Sequence, residues 1–274
     1  LRENLIKIKP IIFKYKIPII SFTNDNSLAD NLVWITGFSP EQQMKKMITH
    51  SIKCKKNNFG FVGMNNNYGK MVLDFLLSSA EKNSIKKTIL LSKSQMKDKD
   101  ELNKVLKEFL NYTKMDDKID TENKKINSIF VIGDTNFVLE VMPILSYNDL
   151  DTNLVDVLGT SIMDDELLIN EHSLINVKFP LVDQKNKDVF EKKWKSMWST
   201  SPNNLARLAY DISKISIWLT AQTQRLDQLI TSNKNKFSIL GNRFKFLSNG
   251  KVERSSSIVK IDTLGKLKTI NNCH

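Results

Sequence analysis

The sequence reads as an α/β fold built on a doubly wound parallel sheet. Three apolar runs carry that reading: Phe59–Met64, Ser128–Ile132 and Val155–Leu158. Each ends in a short polar loop that opens a helical pattern, at Asn65–Gly69, Gly133–Asn136 and Gly159–Asp164. Continuous β-branched and aromatic runs alternating with helical periods fit parallel strands covered on both faces. In such sheets ligands bind beyond the carboxyl ends of the strands, where helix N-termini and loop amides converge.

Taken in order, residues Glu3–Tyr15 place Leu5, Ile8, Ile11 and Ile12 on a helical stripe that Pro10 complicates. Ile17–Phe22 reads as a buried strand. A helix leading into a parallel strand needs an earlier strand in the same sheet, so the sequence is expected to start partway through a domain. Val33–Gly37 is a second short strand. Ser39-Pro40-Glu41-Gln42 predicts a capping box with proline at the first helical position. The helix it opens should bury Met44, Met47, Ile48 and Ile52. Helices are expected over 69–82, 100–112 and 135–147, and strands over 86–91, 127–132 and 155–160. Thr113–Lys125 has no periodicity and reads as a loop. Beyond Pro180, Phe190, Trp194 and Met197 share one helix face. Asn204–Thr223 turns Leu205, Leu208, Ala209, Ile212, Ile215 and Leu219 inward. The turn residues Gly241-Asn242 and Ser248-Asn249-Gly250 bracket an antiparallel hairpin near the C-terminus, with Val252–Ile261 alternating beyond it.

Composition narrows the function classes. The 274 residues, 41% of them hydrophobic and 26% charged, suit a globular chain with a sizeable core. No apolar stretch approaches the roughly 18 residues that span a bilayer. Leu1 opens directly into a helical pattern instead of a secretory leader, so the chain is read as cytosolic or as one whose leader has been removed. The net charge of +11 comes mostly from lysine; the arginines are Arg2, Arg207, Arg225, Arg243 and Arg254. Scattered lysines without an aromatic-interleaved stripe read as a solvated surface, and no nucleic acid is expected. Cys54 and Cys273 match no zinc or redox spacing, and two free thiols are the expectation; a bridge between them would need an oxidising compartment. His50, His172 and His274 lack companions at metal-ligand spacing, so neither metal nor cofactor is expected.

No catalytic constellation is legible. The phosphate-binding glycine patterns are absent, and no histidine can be assigned to Ser21, Thr23 or Ser161. Asp164-Asp165 reads as acids stabilising a helix N-terminus. Three polar clusters remain as binding candidates. Ser21-Phe22-Thr23-Asn24-Asp25 follows a strand and by itself reads as a turn. In Asn65–Gly69 an asparagine caps a helix, while Tyr68 offers a ring and a hydroxyl beside its N-terminus. Gly133-Asp134-Thr135 and Gly159-Thr160-Ser161 combine glycines, which let a ligand approach the backbone, with hydroxyl donors.

The stretch Ile17–Asp25, then Trp34–Pro40 with Glu41-Gln42-Gln43, then Phe59–Met64 with Asn67-Tyr68-Gly69, resembles the type 1 periplasmic binding proteins. The branch it is similar to comprises the leucine/isoleucine/valine-binding proteins of ABC transporters and the related lipoprotein activators of penicillin-binding proteins. Ala206–Asp211 and Asn242–Arg254 resemble that branch's late helix and C-terminal hairpin.

That resemblance implies two Rossmann-like lobes with parallel sheets, joined by three crossing strands at Val33–Gly37, Ile175–Pro180 and near Val252–Lys260. Residues 1–36 and 181–251 would form the first lobe, incomplete at its N-terminus, and 37–180 with 252–274 the second. Hinge closure would hold a small polar solute such as an amino acid in a cleft. By resemblance Ser21, Thr23 and Asn24 would take its carboxylate, Tyr68 would be the cleft tyrosine, and Gly133, Asp134 and Thr160 would complete the site. Amino-acid binders place an acidic residue for the ammonium where this chain has Thr160-Ser161; acids arrive only at Asp164-Asp165. The implied setting is periplasmic, with or without a lipid anchor, and non-catalytic. The partner would be a membrane permease or, in the alternative reading as a regulator, a peptidoglycan synthase.

Overall fold

The structure, a computed structural model, describes residues 1–80, 84–114, 125–183, 187–222, 226–232, 237–239 and 242–273. In chain order the elements begin with α1 (Arg2–Tyr15), β1 (Ile19–Ser21), β2 (Val33–Ile35), α2 (Pro40–Lys53), β3 (Phe59–Met64), α3 (Asn67–Ser79), β4 (Ile85–Leu91), α4 (Lys93–Lys97) and α5 (Lys99–Lys114). There follow β5 (Ser128–Ile132), α6 (Thr135–Tyr147), β6 (Asp156–Leu158), α7 (Glu166–Ile169), β7 (Lys178–Val182), α8 (Lys187–Trp198) and α9 (Asn204–Thr220). The chain ends with α10 (Leu226–Thr231), β8 (Phe237–Ile239), β9 (Asn242–Phe246), β10 (Val252–Arg254), β11 (Ser256–Ile261) and β12 (Leu267–Ile270). Most of the expected loop Thr113–Lys125, the last residues of the helices expected over 69–82 and 204–223, and Gly241 of the first turn dipeptide lie outside the described residues. No helix among the described residues is long and apolar enough to cross a membrane.

The chain forms two units, one of Leu1–Gln42 with Val182–Ser256 and one of Gln43–Leu181 with Ser257–His274. The sequence reading places the divisions at 36/37, 180/181 and 251/252 instead. Unit 2 is built on a seven-stranded sheet in the order β12-β11-β7-β6-β5-β3-β4. Its β4, β3, β5, β6 and β7 pair in parallel, and β12 runs antiparallel to β11. Side chains alternate between the two faces of each strand. Val62, Ile129, Val131 and Val157 therefore join one buried cluster, with Leu106 and Phe109 of α5 and Val138 and Val141 of α6. Phe61, Phe130, Ile132 and Leu158 join the other, with Met44 and Met47 of α2 and Val72 and Leu76 of α3. Helices on both faces bury each strand twice, which is why the sequence shows continuous apolar runs here. Ile52, expected inward, is exposed in the last turn of α2.

Unit 1 holds the parallel pair β1-β2 and the antiparallel order β10-β9-β8. Trp34 of β2 is buried with Leu208, Ile212 and Ile215 of α9 and with Phe244 and Phe246 of β9. Its indole N–H donates to the Leu247 carbonyl at 3.1 Å. Pro10 sits inside α1, which buries Leu5 and Ile12 but leaves Ile8 and Ile11 exposed. Gly250 has φ 78° at the β9–β10 turn, and a Cβ there would fall 2.2 Å from the Asp30 carbonyl oxygen. Glycine is required on both counts.

Three local expectations are corrected. Ser39 accepts from the Gln42 N–H at 3.3 Å, but Gln42 does not return the bond. Its amide donates to Val252 O at 2.7 Å and accepts from Arg254 N at 3.1 Å, so a tertiary pairing displaces the capping box. The alternating run Val252–Ile261 splits at Ser255 between two sheets, β10 pairing with β9 and β11 with β12. Cys54 and Cys273 are not free thiols; they form a disulfide with Cα atoms 5.3 Å apart, tying the tail beyond β12 to the end of α2 within unit 2.

Candidate functional site

In unit 2 the sequence-predicted residues gather at the carboxyl ends of β3, β5 and β6. Asn66 caps α3, its side-chain oxygen accepting from Gly69 N at 2.8 Å. That cap fixes the first turn and carries Tyr68 across the sheet end. The Tyr68 ring packs against the cluster under α2 and α3, and its hydroxyl donates to the Thr160 Oγ1 at 3.4 Å. Burial pushes the phenol above its usual range, only partly opposed by the Thr160 bond. It therefore stays a neutral hydroxyl, able to donate and accept. Thr160 is buried. The next amide, Ser161 N, donates to the Gln43 Oε1 at 2.7 Å. Gln43 is the group that sequence reasoning missed: it opens the helical stretch of α2 within this unit, and only pairing across 118 residues gives it a place beside Thr160.

Gly133 and Asp134 lie at the end of β5. A Cβ on Gly133 would fall 2.2 Å from the Phe137 ring, so the position requires glycine. Asp134 is exposed and caps α6, accepting from Phe137 N at 2.9 Å. Asp165 caps α7 by accepting from Leu167 N at 2.9 Å and also takes the Thr135 hydroxyl at 3.1 Å, the helix-capping role expected for it.

In unit 1 the cluster after β1 is a turn. The Ser21 hydroxyl accepts from Thr23 N and the Thr23 hydroxyl from Asp25 N, each at 3.4 Å. Thr36 donates through both its N–H and its hydroxyl to the Ser21 carbonyl, at 2.9 and 2.8 Å, and Gly37 N donates to Thr23 O at 3.0 Å. Thr23 is buried, whereas Asn24 is exposed. Partial burial pushes the Asp25 carboxyl up, but hydrogen bonds from Ser27 and from Arg2, the latter at 2.7 Å, outweigh it and hold the group below its usual range. Elsewhere in this unit Asp211 of α9 is wholly buried and accepts from the Asn242 amide at 2.8 Å. The Arg254 guanidinium lies 5.0 Å from the centre of the Phe244 ring and donates to Thr36 O at 3.4 Å.

No protein-family model matches the sequence, and no curated protein matches it. Solved structures do. The leucine-binding protein LivK of Thermotoga maritima is 12% identical, with 97% of this chain aligned to 75% of that one and a TM-score of 0.70. The C-domain of LpoA of Haemophilus influenzae, a regulator of PBP1A, is 12% identical over 98% of this chain and 80% of its own, with a TM-score of 0.67. The chain has the type 1 periplasmic binding protein fold. A solute-binding protein of an R. palustris ABC transporter, determined with benzoate, aligns at 14% identity over 95% of this chain and 72% of its own, with a TM-score of 0.67. ABC-transporter binding proteins and a regulator of PBP1A thus stand side by side as structural neighbours. Among the described residues no group of three or more His, Cys, Asp and Glu side chains is placed to hold a metal.

Proposed function

We propose that the chain is a non-catalytic solute-binding protein that delivers a small carboxylate-bearing solute, such as an amino acid, to a membrane permease. The observation that carries this reading is the meeting of Tyr68 and Thr160 at the carboxyl ends of β3 and β6, beside the Gln43–Ser161 bond. Neutral hydroxyl donors next to an aromatic ring suit a guest with a carboxylate and an apolar body. Leucine and benzoate, named with two of the structural neighbours, both have that form. Tyr68, Gly133, Asp134 and Thr160 are the proposed ligand-binding residues of unit 2, and Ser21, Thr23 and Asn24 those of unit 1. The disulfide supports an oxidising, periplasmic setting.

Isothermal titration of the disulfide-intact chain against amino acids and aromatic carboxylates tests this. Saturable heat is expected for one class. Tyr68→Phe keeps the ring and removes the hydroxyl, so affinity should fall by roughly tenfold, the loss of one hydrogen bond, at an unchanged melting temperature. Full affinity in that variant would remove Tyr68 from the site. A second reading, a regulator of a peptidoglycan synthase, is favoured by the likeness to the LpoA C-domain, a regulator of PBP1A. Silence across the panel, with retention of such a synthase on the immobilised chain, would select it.

A further inference from the structure

At the opposite, amino-terminal ends of the unit 2 strands lies a cleft of about 130 Å³ lined by lysines. Asp156, the first residue of β6, is buried between two of them. Lys56 donates to one of its oxygens at 2.6 Å and Lys178 of β7 to the other at 2.8 Å. A third, Lys260 of β11, lines the same cleft and makes no ion pair among the described residues. One carboxylate thus pairs with two ammonium groups in a cleft that a third lysine also lines.

Donor bookkeeping points the same way. Each ammonium carries three N–H donors. Among the described residues Lys56 uses two, on Asp156 and on the Leu154 carbonyl at 3.2 Å, while the buried Lys178 uses one. His50, half-buried nearby, reports the local field. Burial pushes its pKa down, and the positive charge of Lys178 lowers it further, more than Asp156 raises it. Asn153 and Asn176 add amide groups at the rim, held to each other at 3.3 Å.

We propose that this cleft is a binding site for a small oxyanion of phosphate size, held by Lys56, Lys178 and Lys260 with Asp156 fixing the first two. A space of that volume suits a tetrahedral anion or a single carboxylate. The site is distinct from the hydroxyl groups at the carboxyl ends of the strands.

The test is calorimetric titration of the full chain with sodium phosphate, sodium sulfate and sodium acetate at ionic strength held constant with chloride. Saturable one-to-one binding of phosphate or sulfate, with a Kd on the order of 1 mM or tighter, is expected; binding of acetate alone would overturn the assignment to an oxyanion of phosphate size. Lys260→Gln removes one charged donor and leaves the Asp156 pairs intact. It should weaken the anion by roughly tenfold or more at an unchanged melting temperature of the free protein. Lys56→Gln serves if that variant does not fold. Tyr68→Phe should bind the anion as the parent does. No saturable binding of any of the three anions, or parent-like affinity in the lysine variant, overturns the proposal, as does loss of anion binding in Tyr68→Phe.

Discussion

Asp211 shows how one side chain can make a fold sensitive to acidity. It is wholly buried, one carboxylate oxygen takes the Asn242 amide, and the other has no partner among the described residues. Burial pushes the carboxyl up to about 6, against the opposing pull of Asn242 and Arg254. An unfolded chain releases that proton near pH 3.9. Between those values the folded state holds a proton that the unfolded state has lost. The stabilisation is complete below about pH 4 and is lost as the pH rises through about 6. The difference amounts to about 3 kcal/mol. Asp211→Asn, neutral at every pH, should therefore gain on the parent as the pH rises from 4 to 6, with a constant margin above; urea midpoints across that range check it, and a flat difference would refute it. The sequence marked Asp211 within Ala206–Asp211 and Asn242 within Asn242–Arg254, but as separate pieces of one resemblance. Their bond spans 31 residues and depends on how β9 lies against α9, which no local pattern encodes.

Elements were the most legible scale where burial on both faces leaves a continuous apolar run. α6 occupies the expected residues 135–147, and β3 and β5 match to within a residue. What failed was pairing over distance. Gln42 has the spacing of a capping box, yet Val252 and Arg254 compete for its amide and win. Val252–Ile261 alternates as a strand should, but alternation does not say which sheet a strand joins, and Ser255 divides it. The Cys54–Cys273 bridge, separated by 219 residues, matches no spacing motif and became visible only when the tail beyond β12 came to rest beside α2. Cross-linking so long a loop restricts the unfolded chain. Replacing both cysteines by serine should cost unit 2 about 2–5 kcal/mol. Thermal unfolding of the double variant beside the oxidised parent measures this, and equal midpoints would show that the bridge contributes nothing to stability.

At the scale of the whole chain, the fold was legible from the order of its pieces, although identity to the solved neighbours is only 12–14%. The candidate site was half legible. The rule for parallel sheets led to Tyr68 and Thr160 at one end of the strands, but it is silent about the other end, where Lys56, Asp156, Lys178 and Lys260 meet. No motif unites those four, since they come from separate strands and a loop. Unit 2 also draws its sheet from two stretches, 43–181 and 257–274. A fragment of residues 43–181 leaves β7 without β11 and Cys54 without Cys273. It should bind the apolar dye ANS and melt earlier than unit 2 does in the intact chain. Joining 257–274 to it through a flexible glycine-serine linker should reverse both effects; a fragment that is stable alone would contradict this.

The same strand order sets a timetable at the ribosome. Once Leu181 has emerged, five parallel strands can assemble, yet β7 keeps a bare edge while all of Val182–Ser256 is still being made. Sealing that edge waits until β11 has been made. The interval before it, when a neighbouring nascent chain can pair with the open strand, is when this protein most needs a chaperone.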